Sequence, residues 1–380
     1  MLAAGMLYRF AFMKSSKPLT LLLSAIKTPL YLAQIFTGAK SFHTNPVIGS
    51  HLLNVMGLHV MRVVLAAAVT RLRLFCLRGF VPPDQRASFL RDGYLKIEGY
   101  LGEDEFRHLN DEVRSMRGEV RECIQGDTLT HRLLLRDEVL KKHPFCRGLL
   151  TNKKFSRLMK YTASRNSTPI YYVQSIKSNM RPGIDDPQRT FHSDTFHPTM
   201  KAWLFLDDVS DRNGPLTYVA GSQRLSWQRL KWEYRNSVSG SKLENTYASR
   251  GSLRITEAEI QKLGLPEPTA FRVPANTLVI ANTHGFHRRG EAIGGPTSRL
   301  ELWAYSRTNP FNPLPGFDFN WYRRASHFAI DSYLRYQDRK AEKKGALASW
   351  HIVADDALQA LPMEKEAVAV AEQEALVSTV

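Results

Sequence analysis

A series of short alternating segments after residue 170 constrains the fold of this chain most strongly. In each segment apolar and polar residues alternate, and Gly, Pro, Asn and Asp separate one segment from the next, as in β-strands joined by turns. The segments are Tyr171–Asn179, Thr190–Asp194, Lys201–Leu206, Leu216–Val219, Ala270–Val273, Leu278–Ala281 and Arg299–Ser306. Short strands in such a series predict a β-sandwich or barrel.

Helical patterns precede and interrupt these strands. The segment from Pro83 to Met116 has a helical pattern that is broken at Gly93 to Ile97 by one short alternating strand. The segment from Ser226 to Leu265 is polar and partly helical, and long insertions between strands often form lids or substrate-binding loops. The sequence therefore predicts an α+β fold with the strands at its centre.

The distribution of charge divides the chain into three parts. Nine Lys or Arg residues and no Asp or Glu precede Asp84, within a chain whose net charge is +16. We assign residues 1–83 to a basic, apolar, helical N-terminal extension and residues 84–331 to the main domain. Residues 332–380 are assigned to a C-terminal helix and a disordered tail, because the last residues are rich in Ala, Glu and Val and poor in aromatic side chains.

The N-terminal extension contains two long apolar runs, residues 18–36 and 52–69, interrupted by Lys27 and Arg62. Because a cation is costly inside a bilayer, the runs favour docking on an anionic membrane surface, with these side chains directed towards the interface, over a full crossing. Packing of the runs on the main domain and a mitochondrial import sequence remain alternatives.

Composition also indicates which kinds of partner and which cellular compartment to expect. Basic residues interleaved with long apolar runs fit a membrane surface better than a nucleic acid. The chain has three cysteines and no CxxC spacing, which argues against a disulfide framework and a cysteine zinc site. We expect a cytoplasmic protein, located in part at the membrane surface, with a small-molecule substrate and no nucleic-acid partner.

The segment His192-Ser193-Asp194 is the sharpest local feature. Residues two apart on a strand point to the same side, so the imidazole and the carboxylate would project together. A second histidine from a distant strand would complete the two-His, one-carboxylate triad that binds iron(II) and leaves positions open for substrates. This spacing alone is weak evidence, since it often arises by chance.

Two histidines, His284 and His287, compete for the third ligand position. We favour His287, because Arg299 follows it by twelve residues on the last alternating strand. A guanidinium inside a barrel needs an anionic partner, and a forked pair with a dicarboxylate cosubstrate would provide one. The alternative is that Arg299 pairs with Glu301 or another acid of the protein.

The order HxD, His, Arg resembles the phytanoyl-CoA dioxygenase family of iron(II)- and 2-oxoglutarate-dependent oxygenases. The likeness spans about Phe89 to Asn309 and also includes the segments 89–94, 172–174, 179–183, 213–216 and 220–222. One departure is Gln223, which stands where the family usually has a histidine that is not a metal ligand.

The resemblance implies a double-stranded β-helix core, which is a jelly-roll of the cupin type, with flanking helices. It implies that His192, Asp194 and His287 bind iron(II) and that no other side chain is catalytic. Arg299 would bind the far carboxylate of 2-oxoglutarate, with Lys201, Asn179 and Gln174 as further cosubstrate contacts. The reaction would consume O₂, hydroxylate a small organic substrate and release succinate and CO₂. Asp194 favours hydroxylation, since related halogenases have a small residue in its place.

Two other functions compete with the oxygenase. A jelly-roll module that binds a small molecule without catalysis is the main alternative, although such a module has no chemical need for all four of His192, Asp194, His287 and Arg299. A zinc hydrolase has little support, because no HExxH motif occurs. The apolar, basic N-terminal extension favours a lipid or acyl substrate.

Overall fold

Helices precede, interrupt and follow the strands in the computed structural model, which describes residues 27–181 and 183–361. The helices are α1 (described over 27–33), α2 (His51–Val55), α3 (Leu58–Cys76), α4 (Pro83–Asp92), α5 (Glu103–Ser115), α6 (Asp137–Lys141), α7 (Pro144–Thr151), α8 (Lys153–Thr162), α9 (Trp227–Val238), α10 (Thr246–Ser249), α11 (Glu257–Lys262) and α12 (Asn320–Glu342). The strands are β1 (Tyr94–Ile97), β2 (Val120–Gln125), β3 (Thr128–Leu134), β4 (Ile170–Ser178), β5 (Met200–Phe205), β6 (Leu216–Tyr218), β7 (Thr269–Ala270), β8 (Thr277–Asn282), β9 (His287–Arg289), β10 (Thr297–Ser306) and β11 (His351–Val353).

Eight strands form an antiparallel sheet in the order β1-β8-β5-β10-β4-β3-β2-β11. One row of directly paired residues crosses its middle, from Arg132 through Gln174 to Glu301. Alternate residues of a strand point to the same side, so this row marks one face of the sheet, which we call the inner face. The opposite face packs on the helices, where Leu133 and Val173 join a buried apolar cluster with residues of α4, α5, α7 and α8.

The other sheet is antiparallel, has the order β7-β6-β9, and packs on the inner face of the large sheet. Trp203 and Val279 of the large sheet are buried together with Tyr218 of β6 and Phe271 in one apolar cluster. Two sheets thus enclose a space, and helices cover the outside of the larger one. The predicted α+β class is confirmed.

Most predicted elements have counterparts in the structure. The helical pattern from Pro83 becomes α4, β1 and α5, and Gly93 ends α4 with a φ of 85°. This left-handed conformation suits glycine, and a Cβ atom there would lie 2.4 Å from Gln223 Oε1. The predicted strand Thr190–Asp194 is wrong in its extent, because only His192 forms β-bridges, with Arg254 and His287.

The sequence analysis missed the hairpin of β2 and β3. Its two strands join through Gly126 and Asp127, and Gly126 has a φ of 61° while a Cβ atom there would lie 2.2 Å from the Asp185 carbonyl oxygen. Polar residues occur on both sides of β2, including Arg121 and Glu122. A strand without a continuous apolar face lacks the alternation by which strands are recognised.

The N-terminal extension packs on the rest of the protein through one side of α3. Arg62, which we predicted to reach a membrane interface, instead lies 2% exposed and donates hydrogen bonds to the carbonyl oxygens of Ile35, Thr37 and Ala39. Arg73 lies equally buried and binds the carbonyl oxygens of residues 309 and 312. Within the part of the chain that the structure describes, no helix is long and apolar enough to cross a membrane.

The C-terminal helix α12 begins at Asn320, so the predicted boundary after residue 331 falls inside it. After α12 the chain returns to the large sheet as β11, which pairs with β2. The predicted disordered tail lies largely outside the described residues, which end at 361. Residues 332–361 therefore contribute to the same sheet as the main domain.

Candidate metal centre and cavity

Backbone hydrogen bonds bring His192, Asp194 and His287 together. The amide of His192 donates to the carbonyl of His287, and the amide of His287 donates back to the carbonyl of His192, both at 3.0 Å. Asp194 is fixed separately by its amide, which donates to the Thr283 carbonyl at 2.9 Å. The potential ligand atoms of the three side chains all lie within 4.8 Å of one another, and all three residues are buried.

Local hydrogen bonds orient both imidazoles. His192 Nδ1 lies 2.8 Å from the Thr190 carbonyl oxygen, and His287 Nδ1 lies 2.9 Å from that of Gly285. Since a carbonyl oxygen only accepts, each Nδ1 carries the proton and each Nε2 keeps a free lone pair. Burial lowers the pKa of both histidines, so both imidazoles are neutral near pH 7.

The third side chain, Asp194, is ionised although it is buried. Burial alone would raise its pKa, but the positive charge of Lys201, whose Nζ lies 2.7 Å away, holds the pKa well below its usual range. Asp194 Oδ1 lies 3.9 Å from His192 Nε2 and 3.7 Å from His287 Nε2. The buried His287 Nε2 has no hydrogen-bond partner among the described residues. Two neutral imidazoles and one carboxylate with free lone pairs fit a divalent iron site.

The three side chains line a cavity of about 730 Å³ between the two sheets. Its floor is the inner face of the large sheet, and residues of α12 and Trp350 contribute to its wall. Cavities of roughly 300–1,000 Å³ are typical of small-molecule sites. Eight Lys or Arg side chains line it against three Asp or Glu side chains, so the lining is positively charged.

A chain of polar contacts crosses the cavity floor along the row described above. Arg132 Nε donates to Gln174 Oε1 at 2.5 Å, and Gln174 Nε2 donates to Glu301 Oε1. Glu301 Oε2 accepts from Arg299 Nε at 3.2 Å, and Arg299 also binds the carbonyl oxygen of Gly214 at 2.6 Å. The predicted alternative partner of Arg299 is therefore present, although Arg299 also lines the cavity.

Residues 89–257 match the profile of the family described as "Phytanoyl-CoA dioxygenase (PhyH)". The match includes His192 and Asp194 but ends before His287 and Arg299, whereas the resemblance found in the sequence extends to about Asn309. This part of the chain is similar to the PhyH family. Two curated relatives are ectoine dioxygenases from Bordetella parapertussis and Bordetella bronchiseptica, each 27% identical over 157 residues. That similarity covers 37% of this chain and 49% of each relative, so the chain spans about half the length of the curated relatives it matches.

Solved structures with a similar fold include HygX from Streptomyces hygroscopicus with nickel and 2-oxoglutarate bound. It is 16% identical, with a TM-score of 0.38, over 60% of this chain and 88% of that chain. Iron-bound EctD from S. alaskensis is 15% identical, with a TM-score of 0.37, over 60% of this chain and 76% of that chain. These likenesses are too distant to carry an argument about the function of the chain.

The other residues that we predicted to contact the cosubstrate differ in their position relative to the cavity. Lys201 and Gln174 line the cavity, as does Trp203, which lies two residues after Lys201 on β5. Asn179 does not line it. The Asn179 side-chain amide instead donates to the carbonyl oxygens of Ala292 and Gly294, at 2.9 and 3.0 Å, and thereby fixes a loop. Asn179 therefore lies outside the cavity lining, and its contact with the cosubstrate stays a prediction.

His284, the competing candidate ligand, points away from the group of three. It is 2% exposed, and its Nε2 lies 3.9 Å from Glu233 of α9. Burial lowers the pKa of His284 to about 3, so the ring is neutral. Glu233 also accepts from Arg229 at 2.8 Å and contacts His59 of α3 at 2.9 Å. His284 thus belongs to a buried polar cluster that connects the N-terminal extension with the main domain.

The sequence analysis missed two cationic residues near the candidate metal centre and the cavity, Arg132 and Lys40. Arg132 lies 3.7 Å from the ring centre of Trp303 and 4.6 Å from that of Trp350, and it forms no salt bridge among the described residues. Burial lowers its pKa to about 10, which leaves it charged. Lys40, from the N-terminal extension, donates a hydrogen bond to the backbone carbonyl of Asp194. Recognition of β3 as a strand would have placed Arg132 on the side that faces the cavity. No local feature of the sequence marks Lys40.

Proposed function

We propose that the chain is an iron(II)- and 2-oxoglutarate-dependent dioxygenase that hydroxylates a small organic substrate and releases succinate and CO₂. The observation that carries this proposal is the buried group of His192, Asp194 and His287, whose free donor atoms converge on one side of the cavity. Iron(II) bound by these side chains would supply the activation of O₂ that is coupled to decarboxylation of 2-oxoglutarate. The PhyH-family match and the ectoine dioxygenase relatives support it.

In this proposal the chain's own residues divide the remaining tasks. Arg299 binds the far carboxylate of 2-oxoglutarate, and Lys201 and Gln174 contact the same molecule from neighbouring strands. Glu301 neutralises part of the charge of Arg299, so Arg132 supplies an uncompensated positive charge on the cavity floor. We assign the two sheets to a double-stranded β-helix, a topology that opens one end of the sandwich to ligands.

Succinate formation tests the proposal directly. Purified full-length protein with iron(II), O₂ and 2-oxoglutarate should form succinate, and a panel of substrate classes should show which compounds accelerate it. Omission of iron(II) or of 2-oxoglutarate is the matched control. If the protein binds both iron(II) and 2-oxoglutarate but never forms succinate with any class, the non-catalytic binding module is the better description.

We further propose that the N-terminal extension holds the protein at an anionic membrane surface, which would favour a lipid or acyl substrate. The outer side of α3 supports this, because its large apolar residues are exposed while its inner side is buried. The exposed residues are Met61, Val64, Leu65, Leu72 and Phe75. Exposed arginines at positions 71 and 78 lie beside them, and no acidic residue precedes Asp84 in the sequence.

A further inference from the structure

A second cavity, of about 430 Å³, lies between the N-terminal extension and the residues that follow Asp194. Residues between Gln34 and Asn45 form one side, and Thr195 and His197 form another. Arg250 and Arg307 complete it, and Arg307 also lines the main cavity. The lining includes three cationic side chains and no carboxylate.

The three cations, Lys40, Arg250 and Arg307, form no salt bridge with any described residue, although the negative charge of Asp194 acts on Lys40 and Arg307. The side chains of Arg250 and Arg307 are exposed and form no hydrogen bond or salt bridge with any described residue. The ammonium group of Lys40 donates to the backbone carbonyl of Asp194 and forms no other hydrogen bond among the described residues. Like charges placed together in this way repel one another, and a bound anion would relieve that repulsion.

Two neutral side chains, Thr195 and His197, also line the second cavity. Thr195 is 2% exposed, and its hydroxyl Oγ1 is buried without a hydrogen-bond partner among the described residues. Burial lowers the pKa of His197 to about 3, so its ring is neutral, and its Nδ1 lies 3.1 Å from the Pro198 carbonyl oxygen. An unpaired buried hydroxyl costs free energy, so a ligand that accepts its hydrogen bond would be stabilised.

We propose that this second cavity binds a phosphate group. A phosphate monoester carries about −1.5 to −2 charges at pH 7 and three strong acceptor oxygens. That matches three cations and one hydroxyl donor better than a carboxylate, which has one charge and two oxygens. Because Arg307 lines both cavities, the phosphate is one end of the substrate whose other end lies at the candidate metal centre. This assignment of the phosphate to the substrate rests on the proposed oxygenase function.

Calorimetric titration of the full-length protein tests the site without requiring turnover. The probes are octyl phosphate, inorganic phosphate, sodium acetate and octan-1-ol, at constant ionic strength. Octyl phosphate should bind, and acetate and octan-1-ol should bind at least tenfold more weakly. Arg250→Gln and Arg307→Gln should each weaken octyl phosphate binding about tenfold or more, as expected for a charged hydrogen bond. Thr195→Val should weaken it about fivefold.

Arg335→Gln, which removes an exposed cation of α12 outside both cavities, is the control and should leave the affinity unchanged. Arg250 and Arg307 are exposed, so their variants should keep the melting temperature of the parent protein. Unchanged phosphate affinity in both arginine variants, or equal binding of acetate, would overturn the site.

The source of the phosphate is tested by adding the same probes to the succinate assay. Faster succinate formation with octyl phosphate, but not with inorganic phosphate, supports a phosphate-bearing substrate. If inorganic phosphate binds as tightly and octyl phosphate leaves the rate unchanged, the substrate assignment is wrong and the site binds the free ion. Phosphate binding in a protein that forms no succinate would contradict the oxygenase proposal and leave this site standing.

Discussion

Asp194 has two roles at the scale of single residues. Its carboxylate faces two imidazoles whose Nε2 atoms are free, and it also lies 2.7 Å from the ammonium group of Lys201. Both contacts depend on the negative charge that the surroundings impose on it. A substitution here therefore removes a candidate metal ligand and at the same time leaves a partly buried lysine without its partner.

Asp194→Ala should lose most of the iron affinity. Loss of a residue that only orients a metal ligand costs roughly 10–100-fold in affinity, and loss of the ligand itself should cost more. Titration of the metal-free protein with iron(II) measures the change. Asp194→Asn, which keeps the shape and removes the charge, is the matched variant. Parental affinity in both variants would show that Asp194 is not a ligand.

The two histidines of the segment 282–287 should respond differently to substitution. His287→Ala should abolish succinate formation, because it removes one of the three converging donors. His284→Ala should retain a measurable fraction, because His284 contacts Glu233 instead. Succinate formation by both variants at equal protein concentration decides between them, and the opposite ranking would move the ligand to His284.

Arg299→Lys should mainly raise the KM for 2-oxoglutarate. Lysine keeps the charge but loses the planar fork that binds a carboxylate through two hydrogen bonds. Arg132→Lys is the matched comparison, since Arg132 is the other arginine of the polar row on the cavity floor. If Arg132→Lys raises this KM and Arg299→Lys does not, the carboxylate of the cosubstrate is bound by Arg132.

At the scale of elements, a buried ion cluster joins α3 to α9. Glu233 of α9 lies 2.9 Å from His59 of α3, and it also pairs with Arg229 at 2.8 Å. Burial alone would raise the pKa of Glu233, but the charge of Arg229 and the contact with His59 lower it to about 2. The helical insertion after residue 226, which we expected to form a lid, thus anchors the N-terminal extension.

Glu233→Gln should lower stability at neutral pH by about 3–5 kcal/mol, because Arg229 remains buried without a carboxylate. The folded-state pKa of Glu233 is depressed from 4.5 to about 2, so its contribution is complete above pH 4.5 and disappears as the pH falls towards 2. The difference in melting temperature between the parent and the variant should therefore shrink between pH 5 and pH 2.5. A constant difference across this range would contradict the assignment.

The elements that could be predicted are those whose burial leaves a regular pattern. Strand β10 and the helix–strand–helix unit at Pro83 were recognised because one side of each is apolar. The hairpin of β2 and β3 was missed because β2 has polar residues on both sides, including Arg121 and Glu122, and therefore lacks an apolar side. The metal-binding candidates His192 and Asp194 were found by their spacing. No spacing rule could have indicated Lys40, which reaches Asp194 across 154 residues of sequence.

At the scale of the whole molecule, the N-terminal extension has two contrasting sides. The inner side of α3 buries His59, Arg62, Val63 and Ala66, which makes this helix part of the folded protein. The outer side exposes large apolar residues, and isolated patches of this kind commonly mark interaction surfaces. Point substitutions test the outer side better than truncation, because removal of the helix would also uncover its inner partners.

The full-length protein should float with vesicles that contain anionic lipid, and high salt should weaken this binding by screening the charges. Leu65→Glu together with Leu72→Glu should abolish flotation, because both leucines are exposed on the outer side of α3. Leu347→Glu is the matched control, since Leu347 is exposed outside the extension. Flotation by the double variant as strong as that of the parent, or none by the parent, would end the membrane proposal.

The reciprocal hydrogen bonds between His192 and His287 have an evolutionary consequence. These two backbone hydrogen bonds set the distance between the two histidines. That distance therefore does not depend on the length of the chain between them. The insertion with Arg250 lies between the two histidines in the sequence. Lys40 precedes both histidines, and Trp350 follows them. Insertions or exchanges in these parts can diversify what the cavities accept while the histidine pair is inherited unchanged. The residues that select the ligand can thus change without a change in the histidine pair.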